Sequence, residues 1–268
     1  AYMDGVNYKS VQKVLEKGTV KSPVYIPIPM TSIRTKKMKR KGVKQFSIIW
    51  LGRLSNDKVN SVIKIIDECA KLKDKYNIKL HIIGEGIFRE DIRKYSDKVG
   101  VSCEFKGVLI NEELTQFLCE NADLGVSMGT SCLEIAARGI PSALIDYSHT
   151  EFPKDIKYNW IFETSDYNLG GNIAVLESRR NQFKDLIELV IKERELVSTK
   201  SKEYVDSNLS IDVSSEALLF ALSQIKRIDY KELKSIVRIA NPYHYILARA
   251  VYKKMRILKG YIIKGFKK

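Results

Sequence analysis

Cysteine, proline and acidic residues are all in short supply in this chain, and each shortage excludes a class of protein. The four cysteines, Cys69, Cys103, Cys119 and Cys132, form no Cys-x-x-Cys pair and stand in apolar or helical surroundings. Neither a disulfide framework nor a zinc site is indicated, and a reducing cytoplasm fits best. With six Pro, 15 Gly and 44% apolar residues there is no low-complexity linker and ample material for a core. No apolar run approaches the roughly 18 to 20 residues that a bilayer-spanning helix needs. The opening residues AYMDGVNYKS lack the pattern of a signal peptide. The chain begins without an initiator Met and is read as a fragment.

The shortage of acid leaves 46 Lys and Arg against 32 Asp and Glu, a net charge of +14. Such an excess favours anionic partners: nucleotide phosphates, nucleic acid or an acidic lipid surface. It is unevenly spread. Residues 34 to 44, RTKKMKRKGVK, carry seven bases and no acid, and residues 241 to 268 carry eight and no acid.

Between these flanks the texture alternates. A short helical pattern at about residues 8 to 17 is followed by SPVYIPIPM, whose prolines suit an extended connector. From Gln45, FSIIWLG is a continuous apolar run ending in Gly, as a buried parallel strand requires. Val59, Val62, Ile63, Ile66, Cys69 and Ala70 then recur at helical spacing. KLHIIG, VSCEFKG, ADLGVSMG and IPSALID read as further strands. Helices between them are expected at 87 to 98, at NEELTQFLCEN opened by Asn111, and from Ser131 to Arg138. Alternation of this kind predicts an α/β fold with a doubly wound, Rossmann-like parallel sheet and right-handed crossovers. Beyond Asp146 come the loop YSHTEFPKD, a short strand in YNWIFE, a Gly-containing loop DYNLGGN, helices from about 179 to 225, and a helical segment from about 229 to 263.

Ligands of such sheets sit at the carboxyl ends of the strands, so the residues there are the candidates. The first strand runs into GRLSNDK: Gly52 allows a tight turn, and Arg53 and Lys58 place two cations beside a helix N-terminus. That suits a diphosphate, although surface cations in a lysine-rich chain read the same way. Gly84 and Gly86 frame a GEG turn. Val108 and Leu109, after FKG, offer backbone to a planar base. Gly129, Thr130 and Ser131 supply N–H groups at a helix start, where a phosphate is readily held. Ser131 and Glu134 have the spacing of a capping box, in which both side chains bond the first turn's N–H groups. Capping and ligand binding are both open for them at this point.

The series GRLSNDK, GEG, FKG, NEEL and LEIAARGIP, in that order, resembles the nucleotide-binding C-terminal domain of GT-B glycosyltransferases, above all the retaining family 4. The resemblance covers about residues 46 to 146. It implies that Arg53 and Lys58 hold the diphosphate of a nucleotide sugar of UDP or GDP type and act catalytically, and that Glu134 accepts the ribose hydroxyls. Ser131 then remains free to cap, and Val108 and Leu109 meet the base. Val126 stands where the family carries a second acid, and the loop here reads SMGTS. No Asp-x-Asp occurs, so neither metal nor cofactor is expected, and cations with a helix terminus would neutralise the departing diphosphate. His149 is a candidate for sugar contact, whereas His81 and His244 are expected to pack.

Three segments are expected: a connector over 1–45 from an absent acceptor domain, the nucleotide-sugar domain over 46–228, and a basic amphipathic helical segment over 229–268. The last has Tyr243, Ile246, Leu247, Ala250, Val251, Met255, Leu258 and Ile262 on one stripe. It would either meet an anionic membrane surface or pack on its own protein. The function implied is sugar transfer to a polysaccharide or lipid-linked acceptor in cell-surface synthesis, at the cytoplasmic side of the membrane. A GT-B-type sugar-nucleotide epimerase is the alternative within the fold. A basic nucleic-acid-binding module is the alternative outside it, without a recognisable motif.

Overall fold

Among the described residues the strands are β1 (Phe46–Leu51), β2 (Ile78–Ile83), β3 (Cys103–Gly107), β4 (Leu124–Ser127), β5 (Ser142–Leu144) and β6 (Asn159–Trp160), the first two followed directly by Gly52 and Gly84. The computed structural model describes residues 1–14, 23–31, 33, 45–173 and 180–224. They belong to a compact unit, Ala1–Leu222, and to the start of a second, Ser223–Lys268. The basic stretch 34–44, the helical segment expected at 229–263 and His244 lie outside the described residues.

The sheet has the order β3-β2-β1-β4-β5-β6, with five parallel strands and an antiparallel sixth. Leaving β1, the chain builds outward through β2 and β3, then returns to the other side of β1 as β4. The switch point therefore lies between β1 and β4, where open α/β sheets bind ligands. The expected Rossmann-like class is what forms. YNWIFE supplies only the two residues of β6 before turning into a 3-10 helix, Ile161–Glu163.

Both faces of the sheet are covered because its central strands send apolar side chains to each side. Ile48 and Trp50 pack with Val62, Ile65 and Ile66 of α2 (Val59–Leu72) and with Leu186, Ile187 and Val190 of α6 (Phe183–Asn208). Ile49 and Ile83 face Leu114 and Leu118 of α4 (Asn111–Asn121) and Ile135 of α5 (Gly129–Ala137) on the other side. Each fully buried aliphatic side chain contributes about 1.5 to 3 kcal/mol. A smaller core joins Cys132, Leu133, Ala136 and Ala137 of α5 to Leu169, Val205 and Leu209, with Met30 and Ile33 packed against it.

Among the described residues the remaining helices are α1 (Gly5–Val14), α3 (Arg89–Val99) and α7 (Ile211–Ser223). α1 begins three residues before the periodicity suggests, α6 begins four later, and α4 starts with Asn111 at φ 50° without a side-chain cap. Among the described residues no helix is long and apolar enough to cross a membrane, and the four cysteines form no disulfide.

Candidate nucleotide-binding site

Five loops at the carboxyl edge carry the candidate residues, and hydrogen bonds stitch the first four together. Gly52 N–H donates to Ile83 O at 2.9 Å, Leu54 N–H to Glu85 O at 2.9 Å, and Gly84 N–H to Gly107 O at 2.7 Å. Ser127 Oγ accepts from Leu51 N–H at 2.9 Å and donates to Leu51 O at 3.2 Å, joining the ends of β1 and β4. The loops bearing Arg53 and Lys58 and the start of α5 thus leave the sheet side by side.

The two glycines of GEG are there for close approach. A Cβ on Gly84 would stand 2.1 Å from Gly52 O, and one on Gly86 would stand 2.2 Å from Leu54 O. Their role in the structure is to let two loop backbones touch. Val108 and Ile110 beside them are 63% and 61% exposed, while Leu109 packs inward against the α4 core. Of the residues expected at the base, Val108 is therefore the one presented to solvent.

Arg53 is exposed, and its side chain has no hydrogen bond or ion pair among the described residues. Lys58 is half-buried immediately before α2, its N–H donating to Ser55 O at 2.9 Å. Burial pulls its ammonium pKa below the ordinary lysine value; Asp57 opposes the shift and Arg53 adds to it. Asp57 is engaged by Ser55 Oγ at 2.5 Å, which holds its carboxyl below the usual range. Two cations thus converge at a helix N-terminus with no carboxylate bonded to either. That arrangement attracts an anion.

The start of α5 corrects one expectation. The helix begins at Gly129, two residues earlier than Ser131, so Ser131 lies inside its first turn and Glu134 in its second. No side-chain cap forms, and the capping box does not exist. Gly129 N–H already donates to Leu169 O at 2.7 Å; its amide is not one of the donors, which leaves those of Thr130 and Ser131. Glu134 keeps an outward carboxylate, 43% exposed, whose ion pair with Arg138 is a long 3.7 Å. Arg138 instead donates to Glu134 O at 2.7 Å and to Thr115 Oγ1 at 3.0 Å. Val126, at the position of the missing second acid, is fully buried in β4.

His149 is exposed on the loop after β5, its ring edge-on to Tyr147 at 5.6 Å. That loop is fastened to α2: Asn60 Nδ2 donates to Ser148 O at 3.0 Å, Ser61 Oγ to Asp146 O at 2.8 Å, and buried Lys64 to Pro153 O at 3.0 Å. His149 therefore shares the neighbourhood of the α2 N-terminus. His81 is buried in β2 beside Glu104, 3.2 Å away, and does not face the site.

Sequence reading missed the loop DYNLGGN as part of this edge. Leu169 O holds the start of α5, and Gly171 N–H donates to the buried Asp146 carboxylate at 3.0 Å. The adjacent glycines and the Asp closing IPSALID were the available signals. Among the described residues no group of three or more His, Cys, Asp or Glu is placed to hold a metal ion.

Neither a family model nor a curated protein matches the sequence. Solved structures do. The apo form of the lipopolysaccharide outer core galactosyltransferase WaaB is similar over 84% of this chain, with a TM-score of 0.56 and 14% identity. S. aureus TarM, as a mutant in complex with Fondaparinux, alpha-GlcNAc-glycerol and UDP, is similar over 78%, with a TM-score of 0.55 and 17% identity. The chain spans 61% of the first structure's length and 41% of the second's. Identities this low speak to fold alone, and the fold is the Rossmann-like one of GT-B glycosyltransferases.

Proposed function

We propose that this chain is the donor-binding half of a glycosyltransferase that moves a sugar from a nucleoside diphosphate sugar to an acceptor. The observation that carries the reading is the pair Arg53 and Lys58, cations without a bonded carboxylate, beside the α2 N-terminus at the β1/β4 switch point. A diphosphate there would meet both cations and the first turn of α5. Glu134 would accept the ribose hydroxyls, Val108 would border the base, and His149 would approach the sugar.

As the sugar departs, negative charge grows on the diphosphate. Fixed cations and helix N-termini stabilise that charge without reorganising, the term that usually contributes most to such catalysis. Arg53 offers a two-pronged fork, Lys58 a mobile point charge. The same reading includes a metal-independent, retaining reaction with a UDP or GDP donor. It also includes a polysaccharide or lipid-linked acceptor of cell-surface synthesis, at the cytoplasmic face of the plasma membrane. UDP in the TarM complex supports starting with a uridine nucleotide.

Calorimetric titration with UDP, GDP and ADP, of the wild type and of Glu134→Ala and Lys58→Ala, tests it. Hydrogen bonds to a charged group are worth about 1.5 to 3 kcal/mol, so Glu134→Ala is expected to weaken the right nucleotide about ten- to a hundredfold at unchanged Tm. Absence of binding by all three nucleotides, or a loss of Tm without a loss of affinity, would overturn the reading.

A further inference from the structure

The segment 165–173 is strained, buried at Leu169 and Gly171, and bonded at both ends to parts of the molecule far apart in sequence. Asp166 and Tyr167 have φ of 53° and 55°, and Gly170 has 98°. Left-handed backbone at two consecutive non-Gly residues costs of order 1 kcal/mol or more each and persists only where surroundings enforce it. One end grips the N-terminal segment: Gly5 N–H donates to Asp166 O at 2.8 Å, and Tyr25 meets Tyr167 edge-on at 6.0 Å. The contact at Gly5 is tight, since a Cβ there would stand 2.9 Å from Asp166 Cβ.

The other end grips the candidate site. Leu169 O accepts the first amide of α5, Gly171 N–H is held by Asp146, and Tyr147 N–H and Ile173 N–H exchange bonds with Gly171 O and Tyr147 O at 2.9 and 3.0 Å. The Leu169 side chain packs against Cys132, Leu133 and Ala136 of α5 in the small core, on which Met30 and Ile33 of the N-terminal segment also rest. Packing and hydrogen bonding thus lead from Gly5, Tyr25, Met30 and Ile33 through the segment to the helix that presents Thr130, Ser131 and Glu134.

We propose that residues 165–173 form a strap through which the seated N-terminal segment positions the first two turns of α5, so that seating becomes a determinant of nucleotide affinity. The affinity clause rests on the donor-site reading above; the mechanical clause does not. Asp166, Tyr167, Leu169 and Gly171 are positioning residues that need not touch the nucleotide.

Gly5→Val and Tyr25→Ala unseat the far end without altering a site residue, and Asn168→Ala loosens the strap itself, because Asn168 Oδ1 accepts Gly170 N–H at 2.9 Å. Hydrogen exchange read by NMR, with UDP titration of the same variants of this chain, tests both clauses. The expected result is faster exchange at Gly129 and Tyr147 while β1 amides stay protected, with UDP bound about five- to tenfold more weakly, the effect of one mispositioned hydrogen bond. If the amide of residue 5 exchanges faster in Gly5→Val but Gly129 does not, the strap is overturned. If Gly129 responds and UDP affinity does not change, its role in affinity is overturned. If wild type binds no nucleotide, the donor-site reading fails, and the mechanical clause stands or falls on the exchange at Gly129.

Discussion

At the scale of single residues, the site opposes function to stability, and Lys58 shows it most directly. Burial depresses its pKa, so holding it charged costs the fold free energy at neutral pH. Because the folded pKa is the lower one, the cost is complete below it and fades as pH rises from the depressed value toward 10.5. Lys58→Met is therefore expected to keep or raise Tm while weakening UDP binding, by differential scanning calorimetry and titration respectively. A bound diphosphate favours the protonated amine, so wild-type affinity should fall on the alkaline side before the ordinary lysine range, a loss absent from Lys58→Met. Backbone contacts set a second contrast. Gly84→Ala drives a Cβ to 2.1 Å from Gly52 O at φ 136°, whereas a Cβ on Gly129, at φ 61°, meets nothing within 4 Å. Denaturant unfolding should show a loss of about 3 kcal/mol or more for the first and only about 1 kcal/mol for the second.

At the scale of elements, the strength of the hydrophobic signal decides what was legible. FSIIWL is apolar at all but one position and KLHII carries Leu80, Ile82 and Ile83; both became strands where expected, and the period of Val59, Val62 and Ile66 located α2. At the start of α5, Ser131 and Glu134 imitate a cap, while the real start rests on a carbonyl 40 residues away, Leu169 O. No local pattern encodes such a partner. Arg53, Lys58 and Glu134 could be named from residue type at strand ends, but the strap could not, since its importance lies in tertiary bonds. The seating of α5 depends on another long-range fit, at Gly125. A Cβ there would lie 2.6 Å from Ile135 Cγ2 and 3.0 Å from its Cδ1, so the glycine lets α5 lie close on β4. Gly125→Ala should push α5 outward and lower both stability, by about 1 to 3 kcal/mol, and nucleotide affinity. Ile135→Ala removes the atoms in the way. The double mutant Gly125→Ala/Ile135→Ala is thus expected to be less damaged than the sum of its parts, in a denaturation and titration cycle.

At the scale of the whole molecule, charge is divided between the segments and the sheet. Residues 34–44 and 241–268 together hold fifteen bases and no acid against a net charge of +14, so the remainder is close to neutral. Within that remainder, carboxylates tie elements together. Glu188 of α6 accepts from Lys75 at 2.7 Å and Tyr76 at 2.8 Å, just before β2. Glu104 on β3 lies 2.5 Å from Lys106 and 2.7 Å from Lys79 of β2. These partners hold each carboxyl down at about 2. Both folded values lie below the ordinary 4.5, so the stabilisation is complete above that pH and is lost as pH falls through the interval toward 2. Glu104 is 36% exposed, which limits its share to about 1 kcal/mol after solvent screening. Thermal unfolding followed by circular dichroism should show Tm falling between pH 4.5 and 2. Glu104→Gln should start from a lower Tm at pH 7 and lose less of it on acidification, since its amide cannot titrate. Equal slopes in wild type and Glu104→Gln would mean that acid acts elsewhere, leaving the β2–β3 edge held by its backbone ladder alone.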